Sequence, residues 1–476
     1  MLEFRCIGRL RNKSGDIIGY KLVNENGDVS VFKADEVKKA LKVGSIRVVN
    51  MKLTSDNRIF TDFSKAQKPK MSKKTTLVLD TLGWKLYPYE IYQDYSSHNF
   101  YVLHKSDYEH VVYLPDDVDN IVMKSVVIKN RVNEVIRSLL GKLMLVGGSG
   151  LKDITALFRQ VTLDSIDLST FDTSNVENMS YLFDSCKTHN VNINKLKTNR
   201  VKNMMAMFRG YDVRYIKFDR FDTSNVENMS GMFLNSRSKS INLSKLDTSK
   251  VTNMYGMFKG CRASIIELNG IDTSHVRDMH RMFEGCKTGV LNLSSLDTHN
   301  VFDMSYMFAD SRSKIIDVSN FDTSIVTNMS YMFKNVDVSQ LDVSKFKTSK
   351  LMDMEGMFYG CKAYAVDITK FDTRNVENMA RMFERCMIEH MDISKLDTRN
   401  VINMKCMFKC SGVIGINVKL DWLDMGKVEV ADEMFYGCTL YNLDISKLNI
   451  NISVDMSKVF YGCNVPFNLS VGMNKV

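Results

Sequence analysis

The chain has 476 residues, 44% apolar and 25% charged, which suits a soluble folded protein and excludes an intrinsically disordered one. The formal charge of +9 is confined to one end, because residues 1–75 carry 17 Lys+Arg against 8 Asp+Glu and the rest is balanced. Attraction to nucleic acid is therefore expected of that leader alone.

In chain order, residues 1–63 read as a small β-rich N-terminal domain. Phe4–Leu10 and Ile17–Val23 flank a turn at Asn12-Lys-Ser-Gly-Asp, and Asn26-Gly marks a second hairpin. Asp35–Lys42 has a helical pattern, and Ser45–Leu53 returns as a strand. Residues 64–75 hold five Lys and read as a flexible linker. Residues 76–150 are less regular and Tyr-rich, and are assigned to an α+β subdomain that caps the first coil of a repeat array.

From 151 to 476 the chain repeats. A core aromatic recurs from Phe158 to Phe408 at a constant interval of 25, then at Phe435 and Phe460, so about 13 coils are expected. The stretch holds no Pro between Pro115 and Pro466, as a regular, fully hydrogen-bonded backbone requires. In the coil from Ser240 to Cys261, Ile241 and Leu243 flank Asn242, the alternation of a strand with one buried face. Asp247-Thr-Ser offers oxygens to cap a helix start. Val251, Met254 and Met257/Phe258 then follow at helical spacing, and Gly260 closes the turn. One strand and one helical turn cannot bury their own apolar face, so coils must stack. The expectation is an α/β solenoid, leucine-rich-repeat-like, with a curved parallel sheet.

The block Phe-Asp-Thr-Ser-Asn-Val-Glu-Asn-Met-Ser at Phe171 and Phe221, closed elsewhere by Met-Phe and Gly-Cys, resembles the BspA-like bacterial surface-protein repeats, a divergent branch of leucine-rich repeats. That resemblance implies a solenoid that binds proteins, often on cell surfaces, and hence a surface adhesin as one reading. The start of this chain departs from exported members: Met1-Leu-Glu-Phe-Arg-Cys has no apolar stretch or cleavage site, and no run of about 18 apolar residues is long enough to span a bilayer. With ten Cys and no export signal, cytoplasmic localisation with reduced thiols is expected. The segment Cys6-Ile-Gly-Arg-Leu-Arg-Asn-Lys-Ser-Gly-Asp-Ile-Ile-Gly-Tyr resembles a small leader module of intracellular proteins on bacterial mobile elements. It implies a further reading, a mobile-element inhibitor of a host nuclease or defence complex.

Stacking turns each repeat position into a stripe. The Asp of Asp-Thr recurs from Asp172 to Asp397, but Lys197 and Lys347 share the slot, so capping is expected rather than Ca²⁺. A Cys stripe (Cys186, Cys261, Cys286, Cys361, Cys386, Cys438, Cys463) lacks Cys-x-x-Cys and His partners, which points to buried thiols rather than zinc. His98, His104 and His110 are spaced by six, which matches no ligand pattern, and Gly147-Gly-Ser-Gly lacks the Lys of a phosphate loop. No catalytic constellation, metal site or cofactor is expected, and the chain is not read as an enzyme.

Two stripes are candidates for recognition. The outward strand position is mostly Asp or Asn (Asp167, Asn192, Asn242, Asn292, Asp317, Asp342, Asp367, Asp392, Asn417, Asp444, Asn468). A basic rim follows the Cys slot at Lys187, Arg237, Arg262, Lys287, Arg312 and Lys362, interrupted by Asp212 and Asp337. The irregular Tyr215, Lys217, Tyr364, His390, Trp422 and Tyr441 are expected to concentrate binding energy. The sequence thus points to a cytoplasmic protein whose solenoid grips a protein or protein–nucleic-acid complex, with residues 1–75 able to add nucleic-acid affinity.

Overall fold

A computed structural model describes residues 136–463 except 189, 213–214, 217, 413–419, 421 and 439–447, and before them mainly strand backbone. The chain divides into two compact units, one of Met1–Leu151, Leu163–Asn175 and Asn190–Lys195, the other of Lys152–Thr162, Val176–His189 and Leu196–Val476.

In the first unit, β1 (Leu2–Arg11), β2 (Ile17–Asn24), β3 (Val29–Lys33) and β4 (Ile46–Val49) form a sheet of order β3-β2-β1-β4. The two hairpins are antiparallel, whereas β4 returns parallel to β1. A two-stranded hairpin follows, of β5 (Lys52–Leu53) and β6 (Ile59–Phe60). A second sheet contains β7 (Tyr89–Gln93), β8 (Asn99–Ser106), β9 (Glu109–Leu114), β10 (Lys142–Gly147), β11 (Ser165–Phe171) and β12 (Asn190–Val191). From β9 onward its pairing is parallel, so β10 presents to β11 the same ladder that one coil presents to the next. At the end of β10, Gly148 has φ +92 and a Cβ there would lie 2.6 Å from the Phe171 ring, so the Gly-Gly-Ser-Gly stretch is a tight turn.

The second unit is a parallel β-solenoid of stacked coils. Eleven successive parallel bridges, from Asp153–Asn178 to Asn403–Val430, join positions 25 residues apart, the last 27 apart. Among the described residues the bridge ladder thus makes about eleven coil-to-coil steps, where 13 coils were expected. Ile241, Leu243, Val251, Met254, Met257, Phe258 and Cys261 all point inward with no exposed area, as the alternation and the spacing predicted. The core is threaded by rings. Each Phe from Phe158 to Phe460 stacks on the next, as with Phe233, Phe258 and Phe283 at 5.5 and 5.4 Å between centroids.

The expected helical turn is absent. Within the described coils, only the 3-10 turn Ile193–Lys195 and the short helix Met456–Val459 are helical. The Met254–Cys261 stretch is instead a run of turns. Met257, Lys259 and Cys261 donate back three residues at 3.0–3.1 Å, whereas Gly256, Phe258 and Gly260 donate forward to the next coil at His280, Met282 and Glu284 (2.6–2.9 Å). An α-helix needs all of these N–H groups for its own ladder, and here alternate ones belong to a neighbour. Positive φ at Gly256 (+55) and Gly260 (+64) gives the required reversals, and Arg281, Tyr306 and Tyr331 adopt it at equivalent positions. The leucine-rich-repeat-like α/β class is thus replaced by a β-solenoid with little helix.

Candidate functional site

The repetitive polar residues are occupied internally. The outward strand residues Asp167, Asn192, Asn242, Asn292, Asp317, Asp342, Asp367 and Asp392 each accept a hydrogen bond on Oδ1 from the backbone N–H two residues on, at 2.8–3.2 Å. Side-chain hydroxyls at Ser344 and Thr369 add a second bond to the same oxygens. Such bonds favour the carboxylate and hold Asp317, Asp342, Asp367 and Asp392 below the usual range. Asn417, Asp444 and Asn468 lie outside the described residues. The Asp of Asp-Thr behaves alike, Asp247 accepting from the Ser249 N–H and hydroxyl. These side chains close turns rather than cap helices.

The buried Thr after each such Asp bonds across coils. Thr248 Oγ1 donates to the Asp272 carbonyl at 2.7 Å and accepts its N–H at 2.8 Å. Thr223 differs, because its buried Oγ1 has no partner among the described residues. The Cys stripe is likewise internal. All nine described Cys are free, most are buried, and Cys410 is exposed. Burial raises the Cys261 and Cys386 thiols to about 12. His104 and His110 are backbone register partners in the β8–β9 pair, and His110 Nε2 lies 2.9 Å from the Leu140 carbonyl, a donor role within the fold. Among the described residues no three His, Cys, Asp or Glu side chains gather as a metal site.

What remains outward is the rim and the irregular positions. Arg237, Arg262, Lys287 and Arg312 are exposed on four successive coils. Their backbone N–H groups bond to the preceding coil, as Arg262 to Ser236 and Lys287 to Cys261, which fixes them in one row. None of the four has an ion pair among the described residues. Asp337 interrupts the row and exposed Lys362 resumes it. Tyr364, 58% exposed, meets His390 edge-on at 4.8 Å. Trp422 is half-buried and lies edge-on to Phe408 at 6.5 Å, so it covers the core ring stack. Tyr215 contributes strand backbone paired with Ser240, and Lys217 and Tyr441 fall outside the described residues.

Two features went unnoticed in the sequence. Beside the rim, Ile265, Val290 and Ile315 expose 52%, 57% and 55% of their surface at the outward strand position preceding the Asn/Asp stripe. Counting outward strand residues in both positions, not one, would have found this apolar row. On the turn side, Ser305 Oγ lies 2.5 Å from both His280 Nδ1 and Asp303 Oδ1. Arg281 Nε donates to His280 Nε2 at 2.6 Å, so the imidazole proton sits on Nδ1 and points at Ser305, whose own proton points at Asp303. Burial opposes the charge on Asp303, but the bonds from His280 and Ser305 outweigh it and hold the carboxyl below its ordinary range. The imidazole therefore donates to this hydroxyl, the reverse of what activates a nucleophile. The same side holds Arg281 over the Tyr306 ring at 4.2 Å, and Tyr331 donating to Glu355 at 2.6 Å.

A family model described as "Mycoplasma protein of unknown function, DUF285" matches residues 152–265, 263–369 and 361–472, three consecutive stretches of the solenoid. No curated protein and no solved structure matches the chain.

Proposed function

The chain belongs to the DUF285 family, and from that premise we propose that it is a non-enzymatic binding protein whose solenoid grips a macromolecular partner on its strand side. One observation carries the reading. The repeated Asp, Asn and Thr are committed to turns and coil contacts, while Arg237, Arg262, Lys287 and Arg312 stand exposed without ion pairs among the described residues. Charged groups left unpaired in a row have their strongest electrostatic use with a partner of opposite charge. Tyr364, with most of its ring open beside His390, supplies an aromatic anchor further along the same side. The partner is a protein or protein–nucleic-acid complex in the cytoplasm, and residues 1–75 add affinity for nucleic acid. The BspA-like likeness of the coils belongs to this reading as a shared binding scaffold.

The experiment is affinity capture with mass spectrometry, using the full chain and two variants. Arg262, Lys287 and Arg312 reversed to Glu should lose the captured partner, and Tyr364→Ala should weaken it. Retention of the same partner by both variants would place binding elsewhere and end this reading.

A further inference from the structure

The strand side carries more than charge. Ile265, Val290 and Ile315 form an apolar row, with over half of each residue open to solvent. Three residues before each of them stands a rim cation, Arg262, Lys287 and Arg312. A groove lies along the first two residues of this row, lined by Ser264, Ile265, Glu267, Gly289, Val290 and Asn292, with Ile315 exposed on the next coil. Its floor is open at Gly289, where an added Cβ would meet nothing.

Spacing decides what fits. Successive Phe rings of these coils are 5.4 and 5.8 Å apart, and paired strands step by about 4.8 Å. An α-helix laid along the row repeats its face every 5.4 Å or so, one turn per coil. An extended segment presents same-face side chains only every ~6.7 Å, and so is out of step by roughly 4 Å over the two strand steps of the row. Nucleic acid would use the cations, but it has no counterpart to three open aliphatic side chains. Resting on the binding reading above, we infer that this groove takes an amphipathic α-helix from a protein partner. Its apolar stripe packs on Ile265, Val290 and Ile315, and acidic residues along one flank face Arg262, Lys287 and Arg312.

The test uses the full chain and a fluorescent synthetic helix of about 18 residues, with Leu at i, i+3, i+4 and i+7 and Glu along one flank. Comparison probes are a scrambled peptide of the same composition, an alternating Leu-Glu peptide, and an oligothymidylate of similar length. By anisotropy, the helical probe should bind at least about tenfold more tightly than every comparison probe, with affinity falling as salt rises. Gly289→Trp fills the groove, and Val290→Asp puts a charge on its floor; both positions are exposed, and both variants should melt like the parent and lose the probe. The inference is overturned if the helical probe does not bind, if a comparison probe binds as tightly, or if Gly289→Trp leaves binding intact. Partner capture that depends on Arg262, Lys287 and Arg312 without any helix preference would sink this inference alone, whereas capture indifferent to those residues sinks the broader reading.

Discussion

Truncation of one core ring tests the architecture most directly. Phe258 has no exposed area and lies between Phe233 at 5.5 Å and Phe283 at 5.4 Å, with planes within 8° and 3°. Loss of a fully buried Phe side chain removes about 1.5–3 kcal/mol of transfer free energy. Two stacked pairs add about 0.5–1.5 kcal/mol each, giving roughly 2.5–6 kcal/mol, which brackets the about 3–5 kcal/mol typical of Phe→Ala in cores. Phe460, at the far end of the stack, is half-buried and has one ring neighbour among the described residues, Phe435 at 5.3 Å. Phe460→Ala should therefore cost roughly half as much or less. Urea titrations followed by circular dichroism measure both, with hydrogen exchange of the flanking coils as a second readout because repeat arrays need not unfold as one step. Equal costs at the two positions, or a Phe258→Ala cost below about 1 kcal/mol, would refute the continuous ring stack.

Three further outcomes rest on the hydrogen bonds, thiols and backbone. Thr273 Oγ1 donates to the Asp297 carbonyl and accepts its N–H at 2.7 and 2.8 Å, so Thr273→Val should cost about 1–3 kcal/mol in urea melts, whereas Thr223→Val, removing a buried hydroxyl without a partner among the described residues, should be neutral or stabilising. Burial, reinforced at Cys261 by neighbouring Cys286, holds the Cys261 and Cys386 thiols at about 12 against an ordinary 9.0. Folded-state values above the unfolded ones mean stability present below pH 9 is lost as pH climbs toward 12, so denaturation midpoints should fall across that window and fall less in a Cys261→Ala, Cys386→Ala double variant. Gly260→Ala places a Cβ onto Asn235 Oδ1 at φ +64, so its melting temperature should drop, and Asn235→Ala in the same chain should restore part of the loss.

The sequence revealed the period and the inward residues, because identical apolar positions every 25 residues leave few ways to stack. Leu243, Val251, Met254 and Phe258 are buried as read, and the hairpins of residues 2–33 form close to the expected bounds. The helical turn misled for a definite reason. Val251, Met254 and Phe258 have the spacing of one helix face, but a run of turns with reversed φ at every fourth residue buries the same set. No single coil encodes that its alternate N–H groups are claimed by the next coil. The Asn/Asp stripe was equally ambiguous, since an outward Asp has the same one-letter pattern whether it waits for a partner or closes its own turn. The rim cations were legible because no turn needs a Lys or Arg there, and the aliphatic row beside them was not, because Ile and Val in a strand suggest interior.

The bridge ladder joins every coil to the next at equivalent positions, so the array's length is quantised. Loss of residues 265–289, one full period, would bring Ser240 and Ile241 opposite Val290 and Leu291, with Phe258 meeting Phe308 in place of Phe283. Every backbone hydrogen bond along the seam would find an equivalent acceptor, although Lys259 would meet Ala309 in place of its ion-pair partner Glu284, and the ladder of the shortened chain would close without a break. Gene-level slippage by whole periods is therefore structurally silent in the interior of the array, yet it moves Arg262 and its neighbours relative to Tyr364 by one step at a time. The fold tolerates such edits while the spacing between its exposed groups is reset, which makes reach, more than surface chemistry, the property most easily changed in this chain.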